Sequence, residues 1–116
     1  MGQLTTHVLD TMNGQPAAGV RIDLYCLAGE RVRVKTVTTN ADGRCNEALL
    51  QDEALQRGEW ELVFHLGDYF RNRAPGVGSM PFLDQVPVRF GIDDSAGHYH
   101  VPLLASPWSY TTYRGS

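Results

Sequence analysis

Apolar and polar residues alternate one by one along three stretches of this chain, and a period of two confines those stretches to β-structure. Val20, Ile22, Leu24 and Cys26 alternate with Arg21, Asp23 and Tyr25. Trp60, Leu62, Phe64 and Leu66 alternate with Glu59, Glu61 and His65, and Val86, Val88, Phe90 and Ile92 with Pro87, Arg89 and Asp93. Each reads as a strand with one face on a core and one toward water. Weaker strand signals run from Leu4 to Asp10, Arg31 to Thr39, a short piece after Arg44, His98 to Ala105, and Trp108 to Arg114. Turn chemistry separates them at Asn13-Gly14, Ala28-Gly29, Asn40 to Gly43, Asp93 to Gly97 and Ser106-Pro107. One short helix is expected at about Asp68 to Asn72, ended by Pro75-Gly76. Strands this short and numerous in a chain of 116 residues predict an all-β, antiparallel sandwich forming one domain over residues 1–116.

Composition narrows the partners. Hydrophobic residues make up 42% of the chain without a long apolar run, so a soluble protein rather than a membrane-spanning one is expected. A formal net charge of -3 with no Lys/Arg block offers nothing to a phosphate backbone, and nucleic acid is not an expected partner. Patterned sequence starts at Gln3-Leu4 with no visible export signal, which makes the cytoplasm the expected compartment. Cys26 and Cys45 form no disulfide framework or CxxC site; free thiols are expected, with Cys26 in the core.

Strand parity also sorts the histidines. With Tyr99, Val101 and Leu103 toward the core, His98, His100 and Pro102 lie on the opposite face of the same strand. That face is solvated unless another subunit covers it, in which case it lines an interfacial cleft that His7 can join. His65 is expected on a solvent face without a role. The closing Tyr113-Arg114-Gly115-Ser116 places a hydroxyl, a cation, a flexible glycine and a carboxylate directly after a strand pattern, suited to a polar site if that strand ends at a cleft.

Four segments together carry a family resemblance: Thr5-Thr6-His7-Val8-Leu9-Asp10, Thr39-Asn40-Ala41-Asp42-Gly43-Arg44, His98-Tyr99-His100-Val101-Pro102-Leu103-Leu104-Ala105-Ser106-Pro107, and Tyr113 to Ser116. They resemble 5-hydroxyisourate hydrolase, the enzyme branch of the transthyretin-like proteins, from end to end. The stretch between Arg71 and Gln85 matches no motif. What the resemblance implies is a transthyretin-like sandwich of two four-stranded sheets, assembled as a homotetramer, a dimer of dimers, whose dimer-dimer interface forms channels holding the active sites. It further implies conversion of 5-hydroxyisourate to 2-oxo-4-hydroxy-4-carboxy-5-ureidoimidazoline in purine breakdown, without a cofactor.

Carried onto this chain, the resemblance makes His7, Arg44, His100 and Ser116 catalytic and His7, Arg44 and Tyr113 substrate-binding. Imidazoles suit proton transfer near neutrality, and His7 and His100 would share water activation and proton return. The planar, permanently charged fork of Arg44 would hold the polar face of the ring and stabilise the developing oxyanion. Without the resemblance, Arg44 reads as a solvated residue after a turn and Tyr113 as the last packed aromatic of a strand. Arg114 reads as an anchor for the terminus. His7, His98 and His100 suggest a zinc site only until a fourth ligand is sought, since no carboxylate or thiolate stands at convincing spacing; no metal is expected. The competing function is a small-ligand carrier using the transthyretin-type channel, but His7, Arg44 and His100 would make such a channel cationic and hydrophilic.

Overall fold

The structure is a computed structural model describing residues 1–115. Its strands in chain order are β1 (Gln3–Asp10), β2 (Gln15–Pro16), β3 (Arg21–Cys26), β4 (Val32–Thr38), β5 (Leu50–Gln51), β6 (Gly58–His65), β7 (Gln85–Ile92), β8 (His98–Ala105) and β9 (Tyr110–Thr112). Among the described residues one α-helix, α1 (Leu66–Phe70), follows β6 directly, and a 3₁₀ turn at Asp52–Ala54 follows β5.

Two sheets face each other across the core. One has the order β4-β3-β6-β7, all antiparallel. The other runs β2-β1-β8-β9, with β5 also pairing β1. That second sheet holds five strands rather than the expected four, because one strand position is broken in two: β5 pairs with Gln3 and Leu4, and β2 with Leu9 and Asp10. The piece of strand expected just after Arg44 is reduced to an isolated bridge opposite His7. A second departure from a purely antiparallel sandwich is that β1 and β8 run parallel, with Gln3 opposite His98, Thr5 opposite His100 and His7 opposite Pro102.

Between the sheets lie the alternating apolar residues, Leu4 and Val8 from β1, Ile22 and Leu24 from β3, Leu62 and Phe64 from β6, and Val101 and Leu103 from β8, all buried. Full burial of a side chain such as Phe64 is worth about 1.5–3 kcal/mol. Cys26 and Cys45 pack partly buried against this core as free thiols. The helix starts two residues earlier than expected, because the Leu66 and Gly67 amides both donate to the Asp84 carbonyl, at 2.9 and 3.0 Å.

The outer face of the β4-β3-β6-β7 sheet differs from the sequence expectation. His65, expected in solvent, is buried, and its Nε2–H donates to Asp23 Oδ2 at 2.9 Å. Asp23 also accepts from Thr36 at 2.6 Å, and Glu61, only 1% exposed, accepts from Arg31 at 2.7 Å and Arg89 at 2.9 Å. Long side chains from neighbouring strands pave this face, and paired charges make the burial of its carboxylates tolerable. Burial pushes the Asp23 carboxyl up, but hydrogen bonds from Thr36, His65 and Arg21 outweigh it and hold the group at about 2.

Candidate active site

The outer face of the β1–β8 pair gathers most of the expected site. Because Leu4, Thr6 and Val8 point into the core, Gln3, Thr5 and His7 face outward, and the parallel register sets Thr5 beside His100 with His7 one step along. The chain from Gly43 to Gln51 lies along the other side of β1. It is tied at one end by the Val8 amide donating to the Gly43 carbonyl at 2.8 Å and at the other by the Leu49 amide donating to the Leu4 carbonyl at 2.8 Å. Between those ties it leaves the sheet. A groove of about 970 Å³ opens there, lined among others by Thr5, Arg44, Asn46, Glu47, His98 and His100.

Arg44 is placed by a turn written in the sequence. Asn40 Oδ1 accepts from the amides of Asp42 at 2.9 Å and Arg44 at 3.2 Å, while the Asn40 amide donates to the Arg44 carbonyl at 2.7 Å. Gly43 completes the reversal at φ 74°, a left-handed conformation in which a side chain would also strike the Val8 carbonyl. Arg44 thereby becomes the bridge partner of His7.

The two imidazoles are held differently. His7 Nε2 lies 2.9 Å from the Asp42 carbonyl, and since a carbonyl only accepts, Nε2 carries a proton; in the neutral ring the Nδ1 lone pair is then left over. His100 Nδ1 lies 2.8 Å from the Thr5 hydroxyl. Burial, then the charge of Arg44 and that of His7, depresses the His100 pKa below its ordinary value, so the ring is neutral at neutral pH.

On the far side of β8 the chain folds back over His100. The Gly115 amide donates to the His100 carbonyl at 2.8 Å, Arg114 donates to the His98 carbonyl at 3.1 Å, and the Arg114 guanidinium lies 4.2 Å over the Tyr99 ring. Arg114 therefore anchors this segment, as expected. Tyr113 is exposed just beyond β9, and Ser116 lies outside the described residues. His98 is exposed. Among the described residues no group of three or more His, Cys, Asp or Glu side chains is arranged to hold a metal ion.

Thr5 is not among the site residues the sequence picks out, and Gly115 stands out there only as a flexible glycine, not as a contact of His100. Strand parity was the available signal for Thr5, which must share the face of His7. For Gly115 the signal is absent, because its need comes from the ring packed beneath it.

Comparison with known proteins gives the family. The chain is 57% identical over 116 residues to 5-hydroxyisourate hydrolase of Mesorhizobium japonicum, covering 99% of this chain and 93% of that protein. The crystal structure of an (S)-allantoin synthase superposes with a TM-score of 0.92 at 45% identity, across 99% of this chain but only 44% of that one. The Klebsiella pneumoniae 5-hydroxyisourate hydrolase superposes with a TM-score of 0.80 at 33% identity over 100% of both chains. Residues 4–115 match the HIUase/Transthyretin family, and the chain belongs to it.

Proposed function

We propose that this protein is a 5-hydroxyisourate hydrolase, opening the strained cyclic amide of its substrate to 2-oxo-4-hydroxy-4-carboxy-5-ureidoimidazoline in urate breakdown. The observation that carries the reading is the convergence of Arg44, His7 and a neutral, pKa-depressed His100 on one face beside a groove large enough for a small heterocycle.

The residues divide the work as follows. His100, uncharged at neutral pH, takes a proton from the attacking water and returns it to the departing ring nitrogen. His7, with its Nδ1 lone pair free, accepts a hydrogen bond from the same water. Arg44 faces the carbonyl oxygen on which charge develops and holds the ring by its planar fork. Tyr113 contacts the substrate, and Ser116 supplies its hydroxyl or its carboxylate to catalysis. No step calls for a cofactor.

The groove is open in one subunit, and the working assembly in this reading is a homotetramer whose second dimer covers it. Two features support association: β7 and β9 are uncovered sheet edges, and Phe82 and Trp108 stand exposed with ring centroids 6.2 Å apart. Turnover in ¹⁸O-labelled water tests the chemistry. One labelled oxygen is expected in the new carboxylate; a product with no solvent oxygen contradicts hydrolysis.

A further inference from the structure

We propose that Thr5 is a positioning residue for His100: its hydroxyl accepts a hydrogen bond from His100 Nδ1–H and so keeps the Nε2 lone pair turned into the groove. The inference rests on the hydrolase reading above for its catalytic consequence, and on geometry alone for the contact.

Thr5 and Thr6 are adjacent, yet their hydroxyls serve opposite faces of β1. That of Thr6 donates to the Val101 carbonyl at 2.7 Å in the core, the ordinary fate of a buried hydroxyl. That of Thr5 sits 2.8 Å from His100 Nδ1, directly across the parallel register. The opposite side of the same ring is also blocked, because the Gly115 backbone packs so closely that a Cβ there would stand 2.6 Å from His100 Cδ2 and 3.2 Å from Cγ. An imidazole confined at Nδ1 and at Cδ2 has one free edge, Cε1–Nε2. The ring is therefore clamped with a single nitrogen available for chemistry.

The direction of the hydrogen bond follows from the proton cycle. A protonated imidazole donates from both nitrogens, so the partner at Nδ1 must accept in that state. If Thr5 also accepts in the neutral state, Nε2 is the unprotonated nitrogen and nothing need rotate as the proton comes and goes. The tautomer of a histidine is set by the hydrogen bond its other nitrogen makes. Here that bond comes from a threonine rather than from a carboxylate. A carboxylate would raise the basicity of His100 against the influence of Arg44 and His7, the charged or titratable groups that act on it.

The test compares Thr5→Val, which keeps the shape and removes the hydroxyl, with Thr5→Ser, which keeps the hydroxyl. Thr5→Val is expected to lower kcat about 10- to 100-fold with KM little changed, as misplaced catalytic groups do, and Thr5→Ser to restore most of it. In parallel, ¹⁵N NMR of the imidazoles is expected to show His100 protonated at Nδ1 in the wild type and redistributed toward Nε2–H in Thr5→Val. Wild-type kcat in Thr5→Val, equal damage in Thr5→Ser, or an unchanged tautomer overturns the proposal. If Thr5→Val does not fold, a wild-type His100 lacking the Nδ1 proton overturns it alone. A wild-type protein inactive on 5-hydroxyisourate overturns the hydrolase reading and the catalytic role of Thr5, while the tautomer measurement still decides the contact.

Discussion

Gly115 lies against the imidazole of His100, its amide donating to the His100 carbonyl at 2.8 Å while its α-carbon leaves no room for a side chain above the ring. The segment after β9 is thus part of the floor that fixes a catalytic candidate. Gly115→Ala is expected to displace either the ring or the segment and cost about 10- to 100-fold in kcat, with the melting temperature nearly unchanged because the core between the sheets is untouched. Steady-state kinetics and thermal unfolding of the variant check this; normal turnover would show that the contact is slack.

Arg44 makes two separable contributions, a charge and a planar fork. Arg44→Lys keeps the first and loses the second, and a fall in kcat of about 10²- to 10³-fold is expected, as for loss of an oxyanion donor. The pH profile distinguishes the two. His100 works unprotonated, so activity is lost as pH falls through its folded pKa, which lies below the ordinary 6.5. That acid limb should stay in place in Arg44→Lys and move to higher pH in Arg44→Met.

Replacing His7 or His100 by Ala is expected to reduce kcat by about 10²- to 10⁴-fold, the range of acid–base catalysis. His98→Ala should be nearly silent in kcat, because the contact that β8 makes to Arg114 at that position uses the His98 carbonyl rather than its ring. Comparable losses at His98 and His100 would contradict the assignment of proton transfer to His100 rather than His98.

Asp23 gives a stability prediction away from the site. Its folded pKa of about 2 lies below the ordinary 3.8, so its contribution is complete above that ordinary value and is lost as pH falls through the folded one. A shift of this size corresponds to roughly 2 kcal/mol. Denaturant melts of the wild type should therefore weaken between pH 4 and pH 2, and Asp23→Asn should be less stable at neutral pH with a flatter acid dependence. A wild-type profile no steeper than that of Asp23→Asn would contradict the account.

The strands were legible because alternation survives in sequence whenever one face is buried, as in Val86 to Ile92. Parity placed His100 opposite Tyr99 and Val101, and the resemblance selected His7, Arg44 and the segment from Tyr113 as a set. Alternation was misleading where polar residues are buried by partners distant in sequence. Asp23, Glu61 and His65 read as solvated, and the contacts that enclose them come from Thr36 in β4, Arg89 in β7 and Arg31 just before β4. The parallel β1–β8 register was equally invisible, since pairing direction leaves no trace in a period of two. With it went the juxtaposition of Thr5 and His100.

The central claim is tested most directly by adding the purified protein to freshly generated 5-hydroxyisourate and following its ultraviolet absorbance against the spontaneous decay. Decay accelerated in proportion to enzyme, and returned nearly to the spontaneous rate by Arg44→Lys, is the result the account predicts. Decay at the spontaneous rate with folded wild-type protein would contradict it.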